Sequence, residues 1–239
     1  MNDAIFAIGD VHGQYRYLVQ ALDWIAADPE AGAPIVFIGD YIDRGPDSRA
    51  VVERLMRGAP EDTDWICLQG NHDTLLPLFV SEAEDDATQT IARRWLSKAM
   101  GGMQTLASYG IDPNADRPLD DIRTEARDRV PVDHVMWLDA RPRMHVTDAH
   151  VFVHAGIRPG IALDDQDPED LIWIRRDFLD DPRDHGRLVI HGHTPADIPE
   201  HCGNRINVDG GAGYGRPIYP VLLLRGEAFL IGPRGRAAL

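Results

Sequence analysis

Six side chains in this sequence offer oxygen and nitrogen donors at spacings that suit a metal site: Asp10, His12, Asp40, Asn71, His154 and His193. Asp10 and His12 lie two residues apart, between Gly9 and Gly13. On an extended backbone such a pair points the same way, so both side chains reach one ion. Thirty residues on, Asp40 stands in the same Gly-Asp setting; Asn71 follows thirty-one residues later, then His154 and His193. Carboxylate, carboxamide and imidazole without thiolate suit Mn, Fe or Zn better than Ca or a pure Mg site. Six ligands are too many for one catalytic ion that must keep open positions. They suit two ions about 3.5–4 Å apart, an arrangement recurrent in phosphoryl-transfer enzymes. One carboxylate must then bridge, and Asp40, central in the order, is the candidate. Two such ions polarise a phosphoryl group and lower the pKa of a water between them, giving a hydroxide nucleophile near neutral pH.

Each of these residues follows a short apolar run. Ala4-Ile5-Phe6-Ala7-Ile8 leads into Asp10 and His12, Ile35-Val36-Phe37-Ile38 into Asp40, and Trp65-Ile66-Cys67-Leu68 into Asn71. Val151-Phe152-Val153 leads into His154, and Leu188-Val189-Ile190 into His193. Short runs rich in Val, Ile and Phe predict strands buried on both faces. Between the first three, Leu18, Leu22 and Ile25, then Val51, Val52, Leu55 and Met56, have helical spacing. A β-α-β-α-β start predicts a layered α/β fold, whose ligand sites gather outside the carboxyl ends of the strands. All five polar clusters sit at that end.

The rest of the chain frames this core. From about residue 81 to 139 the sequence reads as mainly helical, opening with Glu82, Glu84, Asp85 and Asp86, acids that favour a helix N-terminus. Ile91, Trp95, Leu96 and Met100 make a helical stripe, expected to be core, with walling of the site as the alternative. Residues 112–129 are expected to form exposed helix and loop. Arg205–Val208, Val221–Leu224 and Ala228–Ile231 are further strand-like runs, and the second half is expected to build a second sheet packed on the first. Nothing divides the 239 residues into two domains, so one unit spanning 1–239 is expected.

Composition removes several classes. The net charge of −15 disfavours nucleic acid and anionic membranes as partners, and any phosphate site needs local cations, which metals would supply. No apolar run approaches the ~20 residues of a membrane span. The start Met1-Asn2-Asp3-Ala4 has no secretory signature, so the cytoplasm is the expected compartment. Cys67 reads as a small core residue and Cys202 as a loop thiol; a thiolate metal site would need several sulfurs close together.

Gly9-Asp10-Val11-His12-Gly13, Gly39-Asp40-Tyr41-Ile42-Asp43-Arg44-Gly45 and Gly70-Asn71-His72-Asp73 resemble the three signatures of the phosphoprotein phosphatase family of metallophosphoesterases. His154-Ala155-Gly156 and Gly192-His193-Thr194 resemble its two later histidine motifs. The resemblance implies a calcineurin-like fold, a four-layer α/β/β/α sandwich of two packed mixed sheets flanked by helices. It implies one metal on Asp10, His12 and Asp40, and a second on Asp40, Asn71, His154 and His193, probed first with Mn, with Fe or Zn as alternatives. It further implies phosphate binding by Arg44, Arg175 and Asn71, and His72 as general acid oriented by Asp43. These roles fit elementary chemistry: an arginine fork donates bidentately to phosphoryl oxygens, and a histidine paired with a carboxylate keeps a proton available near neutral pH.

Some alternatives stay open within the motifs. His191 shares a strand face with His193 and competes as a ligand, and Arg176 shadows Arg175. His134, His145, His150, His185 and His201 read as surface or structural residues. Asp73 stands where eukaryotic protein phosphatases usually carry Glu, a difference that bears on subfamily. Asn207-Val208-Asp209 and the Gly-rich stretch after it resemble the strand and loop beside the family's site, where Tyr214 either touches substrate or marks a plain turn.

For substrate, the Asp43-Arg44 pair is the protein-phosphatase form of the second signature, so the first expectation is a serine/threonine protein phosphatase acting on phosphorylated protein. The alternative is a symmetrical bis(5'-nucleosyl)-tetraphosphatase, with small phosphomonoesters behind it. A catalytically silent phosphate-binding regulator is the remote third reading, and it would be expected to lack a ligand, the acid or an arginine.

Overall fold

The computed structural model describes residues 3–60, 63–81, 85–112, 114 and 116–239. Glu82 and Glu84 of the expected helix start lie outside the described residues; Asp85 lies within them and caps the helix Asp86–Trp95, accepting from Thr88 N at 2.9 Å.

The first half folds as the apolar runs predict. Strands β1 (Ile5–Ile8), β2 (Ile35–Phe37) and β3 (Trp65–Cys67) pair in parallel, with helices α1 (Tyr15–Ala26) and α2 (Ser48–Met56) as crossovers. The second sheet is built from β4 (Met144–Val146), β5 (His150–Val153), β6 (Leu188–His191), β7 (Glu200–His201) and β8 (Arg205–Asn207) in the order β4-β5-β6-β8-β7. β5, β6 and β8 are parallel, and β4 and β7 flank them antiparallel.

One expectation is corrected. Strands β9 (Val221–Leu224), β10 (Glu227–Gly232) and β11 (Gly235–Ala238) do not extend the second sheet; they return to the first, in the order β11-β10-β9-β1-β2-β3. The free edge of β1 accounts for it: β9 pairs antiparallel there, Phe6 opposite Leu222. An apolar run alone carries no information on which sheet edge it will fill.

Burial defines four layers. Phe6, Ile8 and Phe37 face the first helical layer, where Val51, Leu55, Trp95 and Leu106 are buried. Ile5, Ala7, Val36 and Ile38 point the other way, against Phe152, Ile190 and Ile206 of the second sheet. Val151, Val153 and Val189 pack on Ile172 and Phe178 of the outer helices α8 (Pro168–Trp173) and α9 (Arg176–Leu179), taking α3 to α7 as the helices between β3 and β4. The central strands of both sheets are thus buried on both faces, which explains why β1, β2, β5 and β6 read as unbroken apolar runs.

Those intervening helices are α3 (Leu75–Val80), α4 (Asp86–Trp95), α5 (Gly102–Ser108), α6 (Leu119–Arg129) and α7 (Val132–Asp139). The apolar stripe of α4 stops at Trp95, which is buried, whereas Ile91 is partly exposed. The stretch 112–129 is less exposed than expected: Ile122, Arg123 and Ala126 of α6 are buried, and Arg123 Nε donates to the Phe79 carbonyl at 3.1 Å.

Candidate functional site

The loops after β1, β2, β3, β5, β6 and β8 meet at the carboxyl ends of both sheets. Val11 N and His12 N both donate to the Asp40 carbonyl, at 3.0 and 2.7 Å, and Gly13 N donates to Tyr41 O at 2.8 Å. The β1 and β2 loops are therefore one hydrogen-bonded body. Asp73 ties in the β3 loop, its carboxylate accepting from Asp40 N and Tyr41 N at 2.8 Å and from Gly70 N at 2.9 Å. Gly70 has no substitute: a Cβ there would collide with the Asp40 backbone and carboxylate.

This convergence is strained. Five of the six non-glycine residues with positive φ among the described residues are His12, Asp40, Asp43, Arg44 and His193. Such conformations persist only where surroundings over-determine them. They also replace the sequence argument for Asp10 and His12. β1 ends at Ile8, so no strand alternation aligns the pair; a turn with φ +47° at His12 does. The same holds for His191 and His193. φ +64° at His193 breaks the alternation, and His191 turns away, its Nε2 accepting from Arg205 at 3.1 Å and its Nδ1 facing Gly192 O. His191 is not brought to the site.

The histidine tautomers follow from their partners. His12 Nδ1 lies 2.9 Å from Ile42 O, and His154 Nδ1 lies 3.0 Å from Ile38 O. A carbonyl needs a donor, so Nδ1 carries the proton and each Nε2 presents a lone pair. His193 Nε2 is buried with no protein partner, which leaves its lone pair available to a metal ion. Asp40 lies between the two sets: its Oδ2 is 3.4 Å from His12 Nε2, and its Oδ1 is 3.5 Å from His154 Nε2. Asn71 Oδ1 is 3.0 Å from the same His154 Nε2, and Asp10 Oδ2 is 3.8 Å from His12 Nε2. Ligand atoms of Asp40, His154 and His193 all lie within 4.8 Å of one another, and so do those of His12, Asp40 and His72. The donor set fits two divalent ions sharing Asp40.

Electrostatics separate ligand candidates from the acid candidate. Burial holds His12, His154 and His193 below the usual imidazole range, so each is neutral, the state a metal ligand requires. His72 behaves differently. Burial opposes its charge, but the Asp40 and Asp43 carboxylates outweigh burial and raise it. Burial opposes the charge of Asp40, but the histidines packed around its carboxylate favour it and keep Asp40 below the ordinary carboxylate range, and of these His72 is the one whose own charge is favoured. Burial, then Asp209 and Asp40, push Asp10 well above that range.

His72 Nδ1 sits 2.6 Å from Asp43 Oδ2. Asp43 in turn accepts from Trp95 Nε1 at 2.8 Å and from Thr105 Oγ1 at 2.7 Å. These helical residues anchor the dyad from 52 and 62 positions away. Nothing in the sequence singled them out for that purpose. Arg44 spans the mouth, its Nη1 2.7 Å from His12 Nε2 and its Nη2 3.0 Å from His72 Nε2. Arg175 lies on the other side, where its Nη1 donates to Thr194 Oγ1 at 3.3 Å, next to His193. Arg176 starts α9 beyond it.

One carboxylate was missed. Asp209 is buried beside Asp10, and burial raises its pKa to about 6. It follows β8 and precedes a glycine, the same strand-then-Asp pattern that located Asp10 and Asp40. Of the remaining thiols and histidines, Cys67 is a free core thiol, pushed up to about 12 by burial, and His134 pairs with Tyr109 OH at 3.0 Å.

Residues 4–197 match the calcineurin-like phosphoesterase family. The chain belongs to that family. A curated relative from Methylobacillus flagellatus, named a symmetrical bis(5'-nucleosyl)-tetraphosphatase, is 31% identical over 156 residues, 65% of this chain and 44% of its own. The chain thus spans less than half the length of that relative. Among solved structures, one described as a candidate diadenosine tetraphosphatase aligns with a TM-score of 0.64 at 18% identity, covering 97% of this chain and 94% of that one. A cold-active protein tyrosine phosphatase aligns at 0.60 and 16% identity, covering 100% and 79%. Likeness at such identities extends to the fold, two mixed sheets flanked by helices. The matched family region ends before Asp209 and Tyr214, and no helix among the described residues is long and apolar enough to cross a membrane.

Proposed function

We propose that this calcineurin-like phosphoesterase is a divalent-metal-dependent hydrolase of dinucleoside polyphosphates. The observation that carries the hydrolase reading is the shared carboxylate, Asp40, with its two oxygens turned to His12 and His154. In this reading Asp10, His12 and Asp40 hold one ion and Asp40, Asn71, His154 and His193 the other. When bound, the two ions neutralise phosphoryl charge and make water a usable nucleophile near neutral pH. Oxygen and nitrogen donors of this kind favour Mn as the first ion to test. Arg44 and Arg175 hold phosphoryl oxygens from opposite sides of the mouth. His72, kept in place by Asp43, protonates the leaving oxygen. A silent regulator would be expected to lack one of these groups, and each stands in the same cleft.

The choice of substrate rests on the relatives, of which the 31%-identical one bears the tetraphosphatase name. The sequence feature that favoured protein substrates was Asp43. Its carboxylate is fully buried between His72, Trp95 and Thr105, so it bears on the acid and touches no position open to a substrate. The test is a side-by-side rate comparison on Mn-loaded protein of diadenosine tetraphosphate and phosphoserine or phosphothreonine peptides. Turnover of the tetraphosphate is expected to be much the faster; faster release of phosphate from the peptides would return the protein-phosphatase reading.

A further inference from the structure

Beside the ligand cluster lies a cavity of about 570 Å³, lined among others by Thr194, Asp197, Glu200, Arg205, Tyr214 and Arg216. We propose that it receives one nucleoside of the substrate, with the Tyr214 ring as the surface on which the base stacks. This rests on the dinucleoside polyphosphate reading and adds where the nucleoside goes.

Three observations carry it. The first is position. Thr194 follows His193 and accepts from Arg175, so the cavity begins where the phosphoryl site ends. The turn Ala212–Tyr214 roofs the site: a Cβ on Gly213 would come within 2.7 Å of His12 Cδ2 and 2.9 Å of Arg44 Cδ. The Tyr214 ring centre is 5.7 Å from the Arg44 guanidinium carbon. A group leaving the phosphates along this wall meets Tyr214 next.

The second is exposure. Tyr214 is 67% exposed, although its turn is fixed from beneath by Tyr17, whose hydroxyl donates to Gly215 O at 3.1 Å. An aromatic ring held out on an anchored turn is a preformed stacking platform, and every nucleobase presents a π-face to one.

The third is charge. In a protein of net charge −15, this cavity sets two arginines, Arg205 and Arg216, against two carboxylates, Asp197 and Glu200. Arg216 is already engaged, pairing with Asp197 at 2.9 Å and donating to Ala196 O at 3.0 Å. Arg205 is committed to His191. Such a cavity offers little to further phosphates. It suits an uncharged nucleoside, with carboxylates to accept from ribose hydroxyls. Its volume falls in the ordinary range for small-molecule sites, about 300–1,000 Å³.

The test is a ratio: kcat/KM for diadenosine tetraphosphate divided by that for p-nitrophenyl phosphate, on Mn-loaded protein. Tyr214→Ala is expected to lower this ratio about 5- to 150-fold, the range that base–aromatic stacking supplies, with the change carried in KM. Tyr214→Phe, which keeps the ring, is expected to hold the ratio near that of the parent. Equal losses on both substrates would mean that Tyr214 acts only through Arg44, and a loss that Phe does not restore would mean a hydroxyl contact; either overturns the stacking assignment. If the parent protein does not cleave the tetraphosphate, the proposed function fails and the subsite with it. If the parent cleaves it and the ratio ignores Tyr214, only the subsite fails.

Discussion

His72 is the residue on which two accounts of the site part company. By distance alone it groups with His12 and Asp40 as a potential ligand. Its Nδ1, however, is committed to Asp43 at 2.6 Å, and the carboxylates around it favour the protonated ring, the state a general acid needs and a ligand cannot use. The acid assignment predicts that His72→Asn lowers turnover of an alkyl phosphate by on the order of 10²–10⁴-fold while the bound-metal content stays that of the parent. The loss should shrink on p-nitrophenyl phosphate, whose leaving group departs without a proton. Rates on both substrates together with metal analysis decide it. Loss of an ion, or an equal drop on both substrates, would move His72 into the ligand set.

Among the elements, the loops after β2 and β3 depend on Asp73, which a reading by signatures treats as a subfamily marker. In the fold it acts as a shared acceptor, with three backbone N–H groups, of Asp40, Tyr41 and Gly70, ending on one buried carboxylate. Removing it strands three buried donors at about 1–3 kcal/mol each, so Asp73→Ala is expected to cost at least about 3 kcal/mol. Asp73→Asn, which keeps one acceptor oxygen, should cost less. Urea unfolding of the metal-free proteins measures this without the contribution of ion loss; a cost under about 1 kcal/mol for the alanine variant would mean that water or a shifted loop replaces the carboxylate. Asp73 also marks the limit of what the sequence makes legible. The strands were readable because both their faces are buried, and most of the site because it follows those strands. The reasons for its geometry were not. The turns at His12 and His193 override alternation, Trp95 and Thr105 reach Asp43 from a helical layer far along the chain, and β9 to β11 return to the first sheet because an edge was free there. Asp209 was readable by the rule that found Asp10, since it too comes two residues after a strand.

At the scale of the molecule, the ligand cluster is the place where the two sheets are joined by charge as well as by apolar packing. Asp10, His12, Asp40 and Asn71 follow strands of the first sheet; His154, His193 and Asp209 follow strands of the second. Without ions, three carboxylates are buried together there, and Asp10 and Asp209 are both raised in pKa, by burial first and then by the carboxylates around them, Asp209 and Asp40 for Asp10 and Asp40 for Asp209. In the proposed reading, divalent ions would offset that buried negative charge and bind the folded state alone, because the six residues converge only when both sheets are in place. Linkage then sets the size of the effect. At a free ion concentration one hundred times Kd the gain is about 2.7 kcal/mol per site. In a chain of this length each kcal/mol moves Tm by roughly 2–4 °C, so Mn should raise the Tm of chelator-treated protein by roughly 5–10 °C for each site filled. Asp40→Asn should abolish most of that increment, since one carboxylate serves both ions, whereas Asp209→Asn should leave most of it and raise the Tm of the metal-free protein by relieving Asp10. A metal-free protein that melts where the loaded one does, with two ions shown to be bound in the latter, would mean that the cluster forms equally well in the unfolded chain or contributes nothing to joining the sheets.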